Sequence, residues 1–176
     1  MTNDAKIYFI TGVCGSGKTT ALSILKTKLS KDKYDLHDLD ERGVPAGGGR
    51  PWRFAETKYL VEMGRANAEK GITTIVSGFA RPSEMEELAP NQENIKFILL
   101  YANPDTLEKR IQGRYPTEES RLKFQNKHNK TVEKFVEENM NFTEIMKKEA
   151  MDYVSEIIDT NTKTPDEVAE EIIKIV

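Results

Sequence analysis

Short apolar runs alternate along the chain with stretches of helical periodicity. Continuous apolar runs at 7–10, 74–76, 95–100 and 153–158, with a weaker one at 34–36, are typical of strands covered on both faces. Between them, apolar side chains recur at helical spacing in three stripes: Leu22, Leu25, Leu29; Val132, Phe135, Val136, Phe142, Ile145, Met146; and Val168, Ile172, Ile175, Val176. This alternation predicts an α/β protein with a parallel sheet, in one domain spanning 1–176.

Helix-start signals support the same division of the chain. Thr164 precedes Pro165 and has Glu167 three positions on, which predicts a capping box and a proline at the first helical position. Asn103 before a proline predicts a second helix start. Ser83, followed three residues later by a glutamate, predicts a third.

Composition narrows the class of protein. The 176 residues include 26 Lys+Arg and 29 Asp+Glu, so the formal net charge is −3, and 38% are hydrophobic, too many for a disordered chain. One cysteine and two histidines exclude a disulfide framework and a multi-His/Cys metal cluster. The chain has no excess of positive charge, no apolar run of ~20 residues and no signal-peptide pattern. We expect a cytoplasmic protein with no nucleic-acid or membrane partner.

Residues 12–19, GVCGSGKT, match the phosphate-loop pattern G-x-x-x-x-G-K-[ST] between the first strand and the helix of Leu22. Glycines let main-chain amides turn inward around a phosphate, and the helix N-terminus adds positive charge. Lys18 is expected to reach the outer phosphates and Thr19 to ligate Mg²⁺. The predicted nucleotide-binding set is Gly12, Cys14, Gly15, Ser16, Gly17, Lys18, Thr19 and Thr20.

Two aspartates follow the weak second strand. Alternation along an extended segment places Asp38 and Asp40 on the same side, facing the crevice beside the phosphate loop. One carboxylate, assigned here to Asp40 beside Thr19, can position the metal ion, and the other can accept a proton from an attacking hydroxyl. Which aspartate is the base stays open. The alternative is a solvated acidic turn, because Glu41 and Arg42 follow.

Arginines mark a predicted acceptor region at about 38–70. Arg50 and Arg53 flank Trp52 just after three glycines at 47–49, and Arg81 follows the third strand. A guanidinium suits a planar anion and an indole ring offers a stacking face, so these residues predict an acceptor pocket. The alternative is that they are ordinary exposed arginines.

A third basic group opens a predicted lid at about 114–130. Arg110 and Arg114 are four positions apart and therefore share one face of a predicted helix, with Arg121 close behind. Such arginines can close over transferring phosphates and offset transition-state charge. The alternative is a solvated basic face paired with Glu118 and Glu119.

These motifs together resemble the nucleoside-monophosphate-kinase and shikimate/gluconate-kinase branch of the P-loop proteins. Residues 38–40 (DLD) resemble the D-x-D of shikimate kinases, 77–81 (SGFAR) the D-G-F-P-R and 110–114 (RIQGR) the R-I-x-G-R of adenylate kinases. The resemblance implies a three-layer fold with five parallel strands in the order 2-3-1-4-5, and ATP as donor. It also implies that Arg81 binds acceptor phosphate, Arg110 stacks near adenine, Arg114 contacts phosphate and Pro165 flanks the base.

The chain departs from that family at several points. Ser77 replaces the family aspartate, so Asp38 or Asp40 must supply a metal-water contact, and Ala80 replaces a proline. The lid is short and has no zinc-type cysteines. The three glycines precede the acceptor helix.

The sequence therefore predicts an ATP-dependent phosphotransferase that moves the γ-phosphoryl group of Mg-ATP to a small-molecule acceptor. The paired aspartates favour a hydroxyl metabolite, whereas the arginines favour a nucleoside monophosphate. The alternative is an ATP-binding or ATP-hydrolysing module that acts through a partner without phosphoryl transfer. A third possibility, a 5′-hydroxyl nucleic-acid kinase, is disfavoured by the net charge of −3. The expected state is a monomer or homodimer.

Overall fold

A computed structural model describes residues 6–89, 94–153 and 155–176. Its sheet has five parallel strands in the order β2-β3-β1-β4-β5, which confirms the predicted topology. The strands are β1 (Ile7–Thr11), β2 (Tyr34–Asp38), β3 (Thr73–Ser77), β4 (Ile95–Tyr101) and β5 (Glu156–Asp159). The last strand begins later than predicted, because Tyr153 caps the preceding helix; Val154 lies outside the described residues.

Seven helices connect and cover these strands in the described ranges: α1 (Lys18–Lys28), α2 (Gly49–Ala68), α3 (Pro82–Leu88), α4 (Pro104–Gln112), α5 (Glu118–His128), α6 (Val132–Asp152) and α7 (Pro165–Ile175). The capping box of Thr164 and the cap of Asn103 are confirmed. The predicted cap at Ser83 is wrong. Pro82 takes the first helical position, where its fixed φ suits the helix, and the Ser83 amide donates to Glu149 Oε1 at 2.8 Å.

The core lies on both faces of the sheet, as the period of two along a strand requires. Ile7 and Phe9 pack toward the α2 and α3 side, while Tyr8 and Ile10 pack toward α1 and α7. A third cluster joins α4 and α6 beside the end of β4. None of the described helices is both long and apolar enough to cross a bilayer.

The carboxyl ends of β1, β2 and β3 meet at one edge of the sheet. The Leu39 amide donates to Ser77 O at 2.8 Å and the Gly78 amide to Ile10 O at 3.0 Å, so the chain leaves three strands side by side. A Cβ at Gly78 would lie 2.3 Å from the Leu39 Cβ, so only glycine permits this approach. Thr11 Oγ1 ties the next turn to β1 by donating to Ala80 O at 2.6 Å.

Candidate active site

The phosphate loop joins the buried strand β1 to the first turn of α1. Gly12, Gly15 and Gly17 have φ of 149°, 87° and 104°, a conformation that turns successive amides toward one side of the loop. A Cβ at Gly12 would lie 2.6 Å from Leu100 O, so the loop also sits tightly on β4. Backbone amides at a helix N-terminus form an anion site.

Lys18 reaches back across this loop. Its Nζ donates to Gly12 O at 2.7 Å and to Val13 O at 2.8 Å. Burial lowers the pKa of Lys18 to about 8, although nearby Cys14, Asp38 and Asp40 act in the opposite direction. The amine therefore lies against the carbonyl groups of the loop, and its role at the outer phosphates stays a prediction.

Distant side chains hold the loop in place. The Cys14 amide donates to Asn139 Oδ1 of α6 at 2.9 Å. Arg110 donates to Gly15 O at 3.2 Å and to Thr160 Oγ1 and Thr160 O at 3.0 and 2.6 Å. Neither Asn139 nor the binding of Arg110 to the loop carbonyl was predicted, because both partners lie about a hundred residues away in sequence.

One cavity opens behind the loop. It has a volume of about 390 Å³ and is lined by, among others, Thr20, Arg110, Arg114, Thr160 and Pro165; we call it the Thr160 cavity. The expectation that Arg110 and Arg114 share a helix face is wrong, because α4 ends at Gln112. Arg114 still reaches the loop, with its Nη1 3.1 Å from Cys14 Sγ. Thr20, Arg110 and Pro165 thus meet beside the loop, and their nucleotide-binding roles stay predictions.

A second cavity opens on the other side of the loop. It has a volume of about 380 Å³, and Lys18, Thr19, Asp38 and Asp40 all line it. We call it the aspartate cavity. It also includes the aromatic side chains of Trp52 and Phe79, together with Leu39, Arg53 and Ser77. The structure therefore brings together the lysine, the hydroxyl and the two carboxylates that the sequence predicted, in one cavity beside the phosphate loop.

The two aspartates differ electrostatically. Burial raises the pKa of Asp38 to about 6, helped by the hydrogen bond and negative charge of Asp40, while the charge of Lys18 opposes the rise. The Asp40 amide also approaches Asp38 Oδ1 at 3.4 Å. A carboxylate with such a pKa is ionised at neutral pH and is a better proton acceptor than an ordinary aspartate.

A chain of side chains braces Asp38 from the edge of the sheet. Glu41 Oε2 accepts from the Asp38 amide at 3.2 Å, and Glu41 Oε1 lies 2.5 Å from His37 Nδ1. His37 Nε2 lies 2.8 Å from Asp35 Oδ1, and Asn67 Nδ2 donates to the other Asp35 oxygen at 2.8 Å. Burial alone would lower the pKa of His37, but the two carboxylates raise it. The four-residue spacing of His37 and Glu41 around the aspartates is the sequence signal that would have linked these two side chains.

The predicted acceptor arginines, and Arg121 of the predicted lid, each face a carboxylate. Both Nη atoms of Arg53 donate to Glu84, and Arg50 reaches the same carboxylate at 3.4 Å. Arg81 donates to Glu149 Oε2 at 2.7 and 2.9 Å. Arg121 pairs with Glu133 and donates to Tyr115 O. Arg53 is only 13% exposed, so it is not an ordinary surface arginine; the ligand-binding roles of all four arginines stay predictions.

The residues of the aspartate cavity fit an Mg²⁺ ion that is bound together with a nucleotide. No group of three or more His, Cys, Asp or Glu side chains arranged for a metal ion occurs in the described part of the chain. Mg²⁺ bound to a nucleotide needs only one or two protein ligands beside phosphates and water. Thr19 and Asp40 line the same cavity and offer the hydroxyl and carboxylate oxygens that such an ion takes.

Comparison with known proteins finds a curated relative and solved structures of similar fold. No protein-family model matches the chain. It is 34% identical over 101 residues to a probable adenylyl-sulfate kinase of Archaeoglobus fulgidus. That match covers 54% of this chain, which spans 64% of the length of the curated relative.

Solved structures share the whole fold. The shikimate kinase of Bacteroides thetaiotaomicron aligns over 97% of both chains with a TM-score of 0.62 and 17% identity. The Acinetobacter baumannii shikimate kinase, solved with shikimate, aligns over 97% of this chain and 92% of its own at 0.60 and 15% identity. A gluconokinase of Sinorhizobium meliloti covers 99% and 92% at 0.53 and 15% identity. The chain has the fold of the P-loop small-molecule kinases. The predicted resemblance is thereby confirmed for the fold.

Proposed function

We propose that this P-loop protein transfers the γ-phosphoryl group of Mg-ATP to a hydroxyl group of a small molecule. One observation carries the proposal: Asp38 and Asp40 line the same cavity as Lys18 and Thr19 of the phosphate loop. A base, a cation and a metal-ligating hydroxyl therefore border one space large enough for an acceptor. Residues 12–20 would hold the triphosphate, and the Thr160 cavity would bind the adenine ring of ATP.

Asp38 is the proposed base. Its pKa of about 6 leaves it ionised at neutral pH and able to take the proton of an acceptor hydroxyl. The acceptor oxygen then forms a bond to the γ-phosphorus, the bond from that phosphorus to the β–γ bridging oxygen breaks, and ADP leaves. Lys18 stabilises the charge on the outer phosphates, a positioning and electrostatic role that suits a loose transition state.

Asp40 and Thr19 would hold Mg²⁺, which would supply positive charge to offset the negative charge of the phosphates. The Asp40 amide lies 3.4 Å from Asp38 Oδ1, so the two aspartates are close enough to serve one site, Asp38 as base and Asp40 as metal ligand. Arg110, which donates to Thr160 and Gly15, would form a wall of the adenine site. Arg114, beside Cys14, would face the phosphates.

A nucleoside monophosphate receives less support as the acceptor. Recognition of its phosphate needs an arginine fork that is available to the ligand. Arg50, Arg53 and Arg81 instead donate to Glu84, Glu87 and Glu149. The paired aspartates, by contrast, are the groups that a hydroxyl acceptor requires.

The test is a search for a phosphorylated product. The protein is incubated with Mg-ATP and sugars, polyols, nucleosides and nucleoside monophosphates, and each mixture is analysed by mass spectrometry for product and for ADP. We expect a product whose formation requires both Mg²⁺ and Lys18, with the Lys18→Ala protein as the inactive control. ADP release that no acceptor increases would instead support the alternative, a hydrolysing module that acts through a partner.

A further inference from the structure

The aspartate cavity has an unusual distribution of charge. Among the described residues that line it, Asp38 and Asp40 are the carboxylates, and Lys18 and Arg53 are the cations. Lys18 donates to phosphate-loop carbonyls and so belongs to the nucleotide side. Arg53 is therefore the cation available to an anionic group on an acceptor.

Arg53 already forms an ion pair with Glu84. Arg53 Nη2 donates to Glu84 Oε1 at 2.8 Å, and Nη1 donates to Glu84 Oε2, so both arms of the guanidinium fork are used. The two side chains are only 13% and 10% exposed. Burial alone would raise the pKa of Glu84, but the hydrogen bonds and charge of Arg53 lower it, and the carboxylate stays ionised.

The charged side chains around Arg53 and Glu84 also cancel one another. Arg50 contacts Glu84 Oε1 at 3.4 Å and donates to Glu87 at 3.0 Å, so two arginines face two glutamates. The Arg53 guanidinium also lies 5.0 Å from the centre of the Phe79 ring, which holds its plane in place. The cluster contributes no net positive charge to the cavity.

We propose that Glu84 is a specificity residue: by neutralising Arg53 it makes the aspartate cavity select an uncharged, ring-bearing hydroxyl compound and reject acceptors that carry a phosphate or carboxylate. This inference rests on the proposed kinase function and names its acceptor class. An anionic acceptor would have to displace a buried, bidentate carboxylate, and it would enter a cavity that already holds two aspartates.

The remaining walls suit such a compound. Trp52, Phe79 and Leu39 supply apolar surface for a ring. Ser77 lines the same cavity, although its Oγ is buried and, within 6–89, 94–153 and 155–176, has no hydrogen-bond partner.

The single tryptophan of the chain provides a direct test, because Trp52 lines this cavity. Its fluorescence is followed in the presence of Mg²⁺ and a non-hydrolysable ATP analogue, which fills the phosphate loop. Matched pairs that differ in one anionic group are then titrated: adenosine against AMP, glucose against glucose 6-phosphate, and methyl shikimate against shikimate. We expect the uncharged member of a pair that binds to have at least a tenfold lower Kd. Tighter binding of the anionic member to the wild-type protein would overturn the proposal.

Sulfate extends the test without knowledge of the acceptor. With Mg²⁺ and the ATP analogue still filling the phosphate loop, we expect no saturable change in Trp52 fluorescence on titrating sulfate into the wild-type protein. The Glu84→Gln variant should show one, because Arg53 is released. Glu87→Gln is the matched control, since Glu87 pairs with Arg50 at an exposed position, and it should behave as wild type.

A saturable sulfate response in the wild-type protein, or none in folded Glu84→Gln, would overturn the proposal. If Glu84→Gln does not fold, the wild-type titrations still decide. These binding results are separate from turnover: acceptors that bind as expected without yielding a phosphorylated product contradict the proposed function and leave the specificity of the cavity standing.

Discussion

The nucleotide side and the acceptor side of the site are built differently. The phosphate loop follows β1, whose five residues are all buried at the centre of the sheet, and carbonyl and amide groups of the loop bind Arg110 and Asn139. Asp38 ends β2, a half-buried edge strand, and Asp40 follows it. The Asp38 amide donates to Glu41, whose other carboxylate oxygen contacts His37.

This difference separates what a P-loop protein must keep from what it can vary. Backbone groups around a phosphate depend on a short run of residues and on glycine, whereas the acceptor side depends on side-chain pairs that one substitution changes. Under the proposed function, donor binding would thus be a property of the fold, and acceptor choice a property of a few ion pairs.

The largest expected effect lies on the nucleotide side. Lys18→Ala should reduce phosphoryl transfer on the order of 10³-fold or more, because no other described residue of the loop carries a positive charge to the outer phosphates. The fold should persist, since Lys18 bonds only to two loop carbonyls. Single-turnover rates and circular dichroism measure both. Lys26→Ala, an exposed change on the same helix, should match wild type, and a Lys18→Ala rate within tenfold of wild type would contradict the assignment.

The nucleotide side was also the part that the sequence predicted best, for the same physical reason. Eight contiguous residues contain the loop's glycines, lysine and hydroxyl, so one motif describes its chemistry. The acceptor side depends on pairs such as Arg53–Glu84 and Arg81–Glu149, whose members lie 31 and 68 positions apart. No local pattern shows that these arginines already have partners, and only the folded topology brings the glutamates to them.

On the acceptor side, Asp38→Asn should lower kcat about 10²-fold and leave the Kd for ATP unchanged, because the amide cannot take the acceptor proton. The wild-type rate should fall as the pH drops through about 6, where Asp38 becomes protonated. The variant should lose this dependence. Steady-state kinetics between pH 5 and 8, beside isothermal titration with ATP, separate the two quantities. An equal loss in kcat and in ATP affinity would reassign Asp38 to the metal or to structure.

A smaller effect is expected from the brace behind Asp38. His37→Ala removes the side chain that holds Glu41, which in turn accepts from the Asp38 amide, so kcat should fall about tenfold while the Kd for ATP stays the same. Because both residues act through one contact, His37→Ala with Glu41→Gln should be no worse than the worse single variant. Lys31→Ala, at an exposed position outside the site, is the control. Additive losses in kcat would show that the two side chains act independently.

The smallest expected effect is on stability, and it is a gain, whereas the preceding substitutions lower activity. The pKa of Asp38 is raised to about 6, above the value of ~3.9 for an unfolded chain, so the folded protein binds this proton more tightly. Ionisation of Asp38 therefore lowers the free energy of unfolding as the pH rises from about 4 to about 6, and the cost is fully present at pH 7. Removing the charge should reverse it.

Asp38→Asn should thus raise the free energy of unfolding at pH 7 by about 1 kcal/mol, after allowance for solvent screening at this half-buried position, and the gain should disappear at pH 4. Urea denaturation at the two pH values measures the difference, with exposed Asp32→Asn as the control. A variant that is slower yet more stable at neutral pH would show that the acceptor side keeps a charge which the fold alone disfavours. A loss of stability at pH 7 would mean that the attraction of Asp38 to Lys18 outweighs its burial and its repulsion by Asp40.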